Sequence, residues 1–331
     1  MNSEVRPLTK DEYALWDEFV DNSSRGTLFH KSFWLKSCGR KFVIYGYFKG
    51  PELYAGIPIT NVRKFGVKIA SQPILTPYGG VLFKEQDAKY VSQISAEKEA
   101  SQKIARQLKS DAHLVHFSFS PGSVDLQSFI WEGFSPSVMY TYIIQTNKSL
   151  EDLWKAMEGT RRTRIRKAEK DGLTIIQSDD FNQTMNLVEK TFMRQHEKVL
   201  SEAMYFRYNK VLEERKQCKS FLAVDRNGEC VASVYIAWDK WRSYYLLGGY
   251  DSERGHSGAS ALAIWYAIKF TKEELGLDEF DLEGSMVPQI EQFFRRFGGQ
   301  LTVRHIVTWT HPFLKLPVIV WRSIHPILST P

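Results

Sequence analysis

Apolar positions along the chain switch repeatedly between helical and extended spacing, and the order of the switches occurs twice. Residues 9–22 open with Thr9 and Glu12 at the spacing of a capping box, then place Tyr13, Leu15, Trp16, Phe19 and Val20 at helical intervals. "FHKSFWLKSCG" predicts a short helix stopped by Gly39. "KFVIYGYF" and "ELYAGIPIT" predict two strands joined by the turn "KGPE". "GVKIASQPILTPYGGVLF" is strand-like but broken by Pro73, Pro77 and Gly79-Gly80, which predicts an edge or a loop. A long helix over 87–109, a strand "HLVHFSFS", a short helix ending at Gly133 and a strand "VMYTYIIQ" complete the first pass.

The second pass begins with one helix from "LEDLW" to Gly172 and a strand "LTIIQ", then helices over 180–197 and 203–217. "SFLAVDRNGECVASVYIAW" predicts a hairpin turning at Asn227-Gly228, and "SYYLLGGY" a third strand. A helix over 258–274, a strand "FDLEG", a helix with proline at its start and glycine at its stop, and a last strand "TVRHIVTW" follow. "YFKGPELYAGIPI" parallels "VDRNGECVASVYI", and "FSFSPGSVDLQSFIWEGF" parallels "FDLEGSMVPQIEQFFRRFGG". The parallel predicts an internal duplication, with two α/β (α+β) domains over 1–146 and 147–331.

Composition sharpens this only a little. At 331 residues, 43% hydrophobic and 25% charged, the chain reads as a folded protein of two cores. Its 44 basic and 38 acidic residues leave +6, compatible with an anionic ligand but far from a dedicated nucleic-acid binder. Cys38, Cys218 and Cys230 have no metal-type spacing and cannot close a disulfide framework, so a reducing, cytoplasmic setting and no metal are expected. No apolar run is long enough to span a bilayer. The tail "HPFLKLPVIVWRSIHPIL" raises membrane-surface contact, against which its prolines argue, so packing against the body is expected.

Three stretches carry a resemblance: "RRTRIRKAEKDGLTI" (161–175), "YYLLGGYDSERGHSGASALAIWYAI" (244–268) and "DLEGSMVPQIEQFFRRFGG" (281–299), with "HKSFWLKSCG" and "PILTPYGGVLF" adding support in the first half. In this order they resemble the GNAT superfamily, and in tandem the Fem-like (FemAB-type) acyl and aminoacyl transferases that act on peptidoglycan and envelope-polysaccharide precursors. The resemblance implies two tandem GNAT-like domains, each a mixed sheet flanked by helices, the first shaping the acceptor site and the second holding the donor. It implies acyl-CoA or aminoacyl-tRNA as donor substrate, with tRNA as a possible partner, and a small-molecule or envelope-precursor amine as acceptor. Ser257 stands where the GNAT pattern has its first glycine, and no heptads mark a coiled-coil arm between 176 and 220.

The residues themselves offer chemistry at the same places. Gly248, Gly249, Arg254, His256, Ser257, Gly258 and Ala259 form a small-residue turn opening a helix, where unpaired amides and the positive dipole end suit a phosphate. Ser257 is also a good N-cap, which would satisfy those amides itself. Acyl transfer needs a proton acceptor for the amine, and Glu283, beyond a strand's C-terminal end, is assigned as base with Tyr245 as acid. Helical projection puts Arg161, Ile165 and Ala168 on one side of the basic helix and Arg162, Arg166 and Lys170 opposite. By the resemblance, Arg162 and Arg166 are acceptor contacts, joined by Lys31, Trp34 and Lys36 from the first half. Two rival readings stand beside the transferase: a non-catalytic double-GNAT binding or scaffold protein, favoured by Ser257, and an RNA-binding protein, which needs the basic helix to face an open groove.

Overall fold

The computed structural model describes residues 3–195 and 201–314. The apolar part of the tail and the end of the helix expected to reach 197 lie outside them. In chain order the elements are β1 (Ser3–Pro7), α1 (Tyr13–Asp21), α2 (Ser32–Ser37), β2 (Phe42–Lys49), β3 (Glu52–Lys64), β4 (Val67–Ser71), β5 (Leu82–Phe83), α3 (Tyr90–Asp111), β6 (Leu114–Ser118) and α4 (Gln127–Trp131). Then come β7 (Ser135–Gln145), α5 (Leu150–Ala156), α6 (Gly159–Lys170), β8 (Thr174–Ser178), α7 (Phe181–Arg194), α8 (Glu202–Glu214), β9 (Cys218–Val224), β10 (Cys230–Trp238), β11 (Arg242–Tyr250), α9 (Ala259–Glu273), β12 (Glu279–Asp281), α10 (Pro288–Arg295) and β13 (Gln300–Thr310).

The chain divides into two compact units, Met1–Val138 with Arg304–Pro331, and Met139–Val303. In the first, strands run β1-β2-β3-β4-β6-β13, with β5 beside β3. In the second they run β8-β9-β10-β11-β12-β7. Each is an antiparallel meander followed by one parallel pair, β4 with β6 and β11 with β12, and each closes on a further antiparallel strand. The long helix after the third meander strand packs one face of each sheet: α3 buries Ala100, Ile104, Ala105 and Leu108, and α9 buries Ala259 to Trp265, Ala267 and Ile268 with the exception of the half-buried Ser260. Each helix is the crossover that lets the strands on either side of it pair in parallel. The repeated order is that of two tandem mixed α/β folds.

Local chemistry explains most boundaries. The Thr9/Glu12 capping box forms, and Arg6 grips the same Glu12 carboxylate through both guanidinium nitrogens (2.6 and 2.9 Å). Asn227-Gly228 makes its hairpin, with Gly228 at φ +83° and the Asp225 side chain accepting from the amides of Asn227 and Glu229.

Three features differ from the sequence expectation. β1 forms as an edge strand. Val67–Ser71 is an interior strand, paired on both sides, because the prolines that broke the pattern begin only at residue 73. The helix expected from 150 to 172 is two helices. Met157 and Glu158 take extended backbone between them, and the Glu158 amide donates to the Arg296 carbonyl (3.1 Å).

Candidate active site

The second unit opens where β12 leaves β11. Their parallel pairing covers Arg242↔Glu279, Ser243↔Phe280 and Tyr244↔Asp281 and then stops. The cause is local. The Leu282 amide turns to the Tyr142 carbonyl of β7 (3.0 Å), and the Asp281 carboxylate takes the Glu283 amide (2.8 Å). Glu283 and Gly284 both adopt left-handed backbone (φ +54° and +64°), and a Cβ on Gly284 would lie 2.1 Å from the Tyr140 carbonyl oxygen. β11 kinks at the same level: Leu247 faces Tyr235 and Tyr245 faces Ile236, so Leu246 is an extra residue, a bulge. Among the described residues, Tyr245 to Tyr250 have no strand on the β12 side. The β12-side edge of β11 is left without a partner strand from Tyr245 onward, until Thr191 takes the Tyr250 amide (2.8 Å).

The matching place in the first unit is filled. There β4 and β6 also pair over three residues, Ile69↔Leu114 to Ser71↔His116. Beyond them Gln72 Oε1 accepts from the Ser118 amide (2.7 Å), the Gly79 amide donates to the Ser118 carbonyl (2.8 Å), and Gly80 packs so close to Phe119 that a Cβ would sit 2.5 Å from its ring. The 72–80 loop, with its prolines, plugs the gap.

Tyr245 is the half-buried residue of β11 just past the end of the β12 pairing. Its ring packs edge-on against Phe294 (5.4 Å), and its hydroxyl lies over Gly248, where a Cβ would be only 1.6 Å away. Burial first, and the Glu283 carboxylate second, push its acidity well below that of an ordinary phenol, so it stays protonated. The two residues assigned as acid and base from sequence therefore act on one another electrostatically. Nearby, the Tyr142 hydroxyl donates to Glu291 of α10 (2.5 Å), and burial and that carboxylate raise Tyr142 to about 12.

The glycines of this stretch answer to packing. Gly249 faces α7, where a Cβ would meet the Leu187 backbone carbon at 2.6 Å, and Gly258 faces α6, where it would meet the Arg164 carbonyl oxygen at 2.3 Å. Because these neighbours are backbone, they cannot swing aside. Gly249→Ala is expected to lower stability by about 1–3 kcal/mol, read by urea unfolding, and an unchanged midpoint would refute the packing account.

The 251–259 turn is held from below. Buried Asp251 accepts from the amides of Glu253 and Arg254 (3.0 and 3.2 Å) and from Lys190 Nζ (2.6 Å), and that ammonium holds its carboxyl below the usual range. Arg254 is exposed and pairs with Glu229 (3.3 Å). His256 Nδ1 accepts from the Gly258 amide (3.0 Å), which leaves the Nε2 proton for Asp171 (3.0 Å). The N-cap of α9 is Gly258, without a side-chain cap, and Ser257 is exposed one residue earlier. Ser257 does not cap α9; the His256 ring instead takes the amide of Gly258, the residue before the helix.

The first-unit candidates separate by burial. Trp34 is wholly buried, with its indole N–H on Thr76 Oγ1 (2.8 Å) and its ring against Phe29. Lys31 is spent on the Asp17 carbonyl and the Asp21 carboxylate (both 2.6 Å). Lys36 is exposed, above the Tyr13 ring. On α6, Ile165 and Ala168 are core as projected, Arg162 is half-buried, and Arg166 is exposed above Trp154 (5.3 Å). Arg161, projected on the same side, is core as well. It donates to the Phe293 carbonyl (2.9 Å) and lies against the Phe293 and Phe297 rings (4.1 and 4.7 Å), and burial lowers it to about 10. The signal was present in the projection that put it beside Ile165 and Ala168. Among the described residues no group of His, Cys, Asp and Glu could hold a metal ion, and no helix is long and apolar enough to cross a membrane.

An open parallel pair, a bulge on its longer strand and a helix starting beyond it define the acyltransferase fold of the GNAT type. Residues 156–296 match the family model of the acetyltransferase (GNAT) domain, so the second half of the chain carries such a domain. No curated protein matches the sequence. Among solved structures, FemX is similar at 15% identity over 95% of this chain and 99% of its own, with a TM-score of 0.72. L-PGS from Bacillus licheniformis is similar at 14% identity over 95% of both chains (TM-score 0.58). The tandem GNAT protein from the clavulanic acid biosynthesis pathway follows at 11% identity over 93% of this chain and 98% of its own (TM-score 0.55). At these identities the likeness is one of fold, and it extends the GNAT architecture to both halves.

Proposed function

We propose that the protein is an N-acyltransferase that moves an acyl or aminoacyl group from acyl-CoA or aminoacyl-tRNA onto an amine of a cell-envelope precursor, an amino sugar or a stem-peptide lysine. The observation that carries this reading is the early parting of β12 from β11 after Tyr244↔Asp281, against the plugged gap in the first unit. The donor's acyl arm lies along the free edge of Tyr245–Tyr250, and a β11 amide at the Leu246 bulge faces the carbonyl oxygen. One preorganised donor of this kind is worth about 3 kcal/mol in the transition state.

The Glu283 carboxylate takes a proton from the acceptor ammonium, and the freed nitrogen forms a bond to the carbonyl carbon. The oxyanion collapses, the bond from that carbon to sulfur or ribose oxygen breaks, and the electron pair leaves with the leaving atom. The second proton of the new amide nitrogen passes to that atom through the Tyr245 hydroxyl, which gives one proton and receives the other, so a neutral amide leaves with a thiol or a ribose hydroxyl. Burial and the Glu283 charge together hold the phenol proton, and protonation of Glu283 removes the smaller of the two. Gly248 keeps the space above the strand that the Tyr245 hydroxyl occupies. Arg162 and Arg166 are the cations of this unit assigned to an anionic acceptor.

A melting experiment tests the reading. Acetyl-CoA at a hundred times its dissociation constant is expected to stabilise the protein by ~2.7 kcal/mol. A salt-sensitive response to charged tRNA without one to CoA assigns the aminoacyl ester. Silence toward both overturns the transferase and leaves a scaffold.

A further inference from the structure

The sheet of the first unit is uneven at one end. β2 pairs β3 only as far as Thr60, and β6 meets β4 only from Ile69 onward, yet β3 and β4 stay paired to Lys64↔Val67. The tip of that hairpin therefore stands roughly 10 Å beyond its neighbours. Its two-residue loop is Phe65-Gly66, with both residues in left-handed backbone (φ +50° and +80°). Such a loop suits Asn, Asp or Gly at its first position, and a phenylalanine is strained there. Phe65 is 93% exposed, so the core does not account for the choice.

A second exposed ring lies at the same end. The His113 amide donates to the Lys68 carbonyl and the His311 amide to the His113 carbonyl (both 2.8 Å), which ties the turn at Pro312–Leu314 to the base of the hairpin. Phe313 in that turn is 87% exposed, its ring against His311 (5.2 Å). Around both rings the surface is cationic. Arg63, Lys64 and Lys68 are exposed on the hairpin, and Arg40 and Lys41 are exposed beside it, where the Lys41 carbonyl takes the Asn61 amide (2.9 Å). None of these cations makes an ion pair among the described residues. The Asp111 carboxylate feels the Lys68 charge but is bonded by the Tyr45 hydroxyl and the Gln107 amide (2.5 and 2.7 Å).

We infer that this end of the first unit is a docking surface for an anionic lipid bilayer, with Phe65 entering the headgroup region and the cations meeting the lipid phosphates. Exposed apolar rings beside unpaired basic residues are the combination that binds an interface of negative charge, and a projecting tip fits a flat, yielding surface. A nucleic-acid strand would want a groove that follows its phosphates and rings set in series, and a tip offers neither. All of these groups belong to the first unit, so the inference stands apart from the transferase reading.

Sedimentation of the whole protein with lipid vesicles tests it. Wild type is expected to co-sediment with vesicles of phosphatidylcholine and phosphatidylglycerol, to come off as salt is added, and to stay in solution beside vesicles of phosphatidylcholine alone. Phe65→Asn suits the left-handed turn, so its thermal midpoint is expected at or above that of wild type while its partition onto the anionic vesicles falls about tenfold. The triple variant Arg63→Gln/Lys64→Gln/Lys68→Gln, at exposed positions, is expected to lose about a hundredfold. Absence of vesicle binding by wild type overturns the inference. Binding that both variants leave unchanged overturns it too, because the contact then belongs to another surface. Preference for a single-stranded oligonucleotide over the vesicles, lost in the triple variant, assigns these cations to nucleic acid and overturns it as well.

Discussion

Glu283→Gln is expected to lower kcat for acetyl transfer to an amino sugar by ~10²–10⁴ while leaving the thermal midpoint where it is. The amide keeps the shape and the left-handed backbone of residue 283 and loses only the capacity to take a proton. A second substitution separates this chemistry from the strain. At φ +54° a non-glycine residue costs about 1 kcal/mol, so Glu283→Gly is expected to raise stability by roughly that amount and still to abolish transfer. The readouts are thiol release from acetyl-CoA in the presence of glucosamine, and urea unfolding. Undiminished turnover in Glu283→Gln would remove the residue from the mechanism; a Glu283→Gly protein less stable than wild type would mean that the carboxylate, and not the cleft, explains the backbone.

That two-residue left-handed turn marks the limit of what the sequence reveals. Periodicity sufficed for elements whose signals are local: the Thr9/Glu12 box, the Asn227-Gly228 hairpin, and the proline and glycine bounding α10. It failed where tertiary partners decide. The helix break at Met157-Glu158 is announced only by Gly159, the first residue of α6, and its cause is tertiary: the Glu158 amide is drawn to a carbonyl more than a hundred residues away. β4 was obscured by prolines that lie beyond its end, and their real work is to shape the plug over the β4–β6 gap.

The site shows the same division. Tyr245 and Glu283 were chosen as ends of neighbouring strands, and in the structure the Glu283 carboxylate is the second cause, after burial, that keeps the Tyr245 phenol protonated. Gly248 and Gly249 were read as a bend on the donor strand and Gly258 as room for a phosphate, and in the structure the Tyr245 hydroxyl, α7 and α6 also lie against these three positions. A small residue in a sequence reports close approach without saying of what. The two weaker motifs of the first half turn out to be one assembly. Trp34 bonds Thr76, Phe29 meets Tyr78 (6.1 Å), and the ring of His30 joins the Gly80 carbonyl, so "HKSFW" and "LTPYGG" are mutual core.

Acid should find that assembly first. His30 is wholly buried, with Nε2 donating to the Gly80 carbonyl (3.2 Å) and Nδ1 beside the Thr27 hydroxyl (2.8 Å). A second proton would place a charge where no carboxylate faces it, and burial lowers the ring to about 4 from its ordinary value near 6.5. The folded protein thus binds fewer protons than the unfolded chain between those two values. Its contribution to stability is complete above pH 6.5 and is lost as pH falls toward 4, by about 3 kcal/mol in all. The carboxylates with lowered values act in a later window. Glu12, held near 2 by Arg6, and Asp251, held low by Lys190, lose their contributions only below the ordinary carboxylate range. Urea unfolding followed between pH 7 and pH 4.5 is therefore expected to show a steep loss in wild type and a much flatter profile in His30→Gln, which offers a neutral amide to Thr27 and Gly80. Parallel profiles for the two proteins would show that His30 is charged at no cost in the fold, and that another group sets the acid limit.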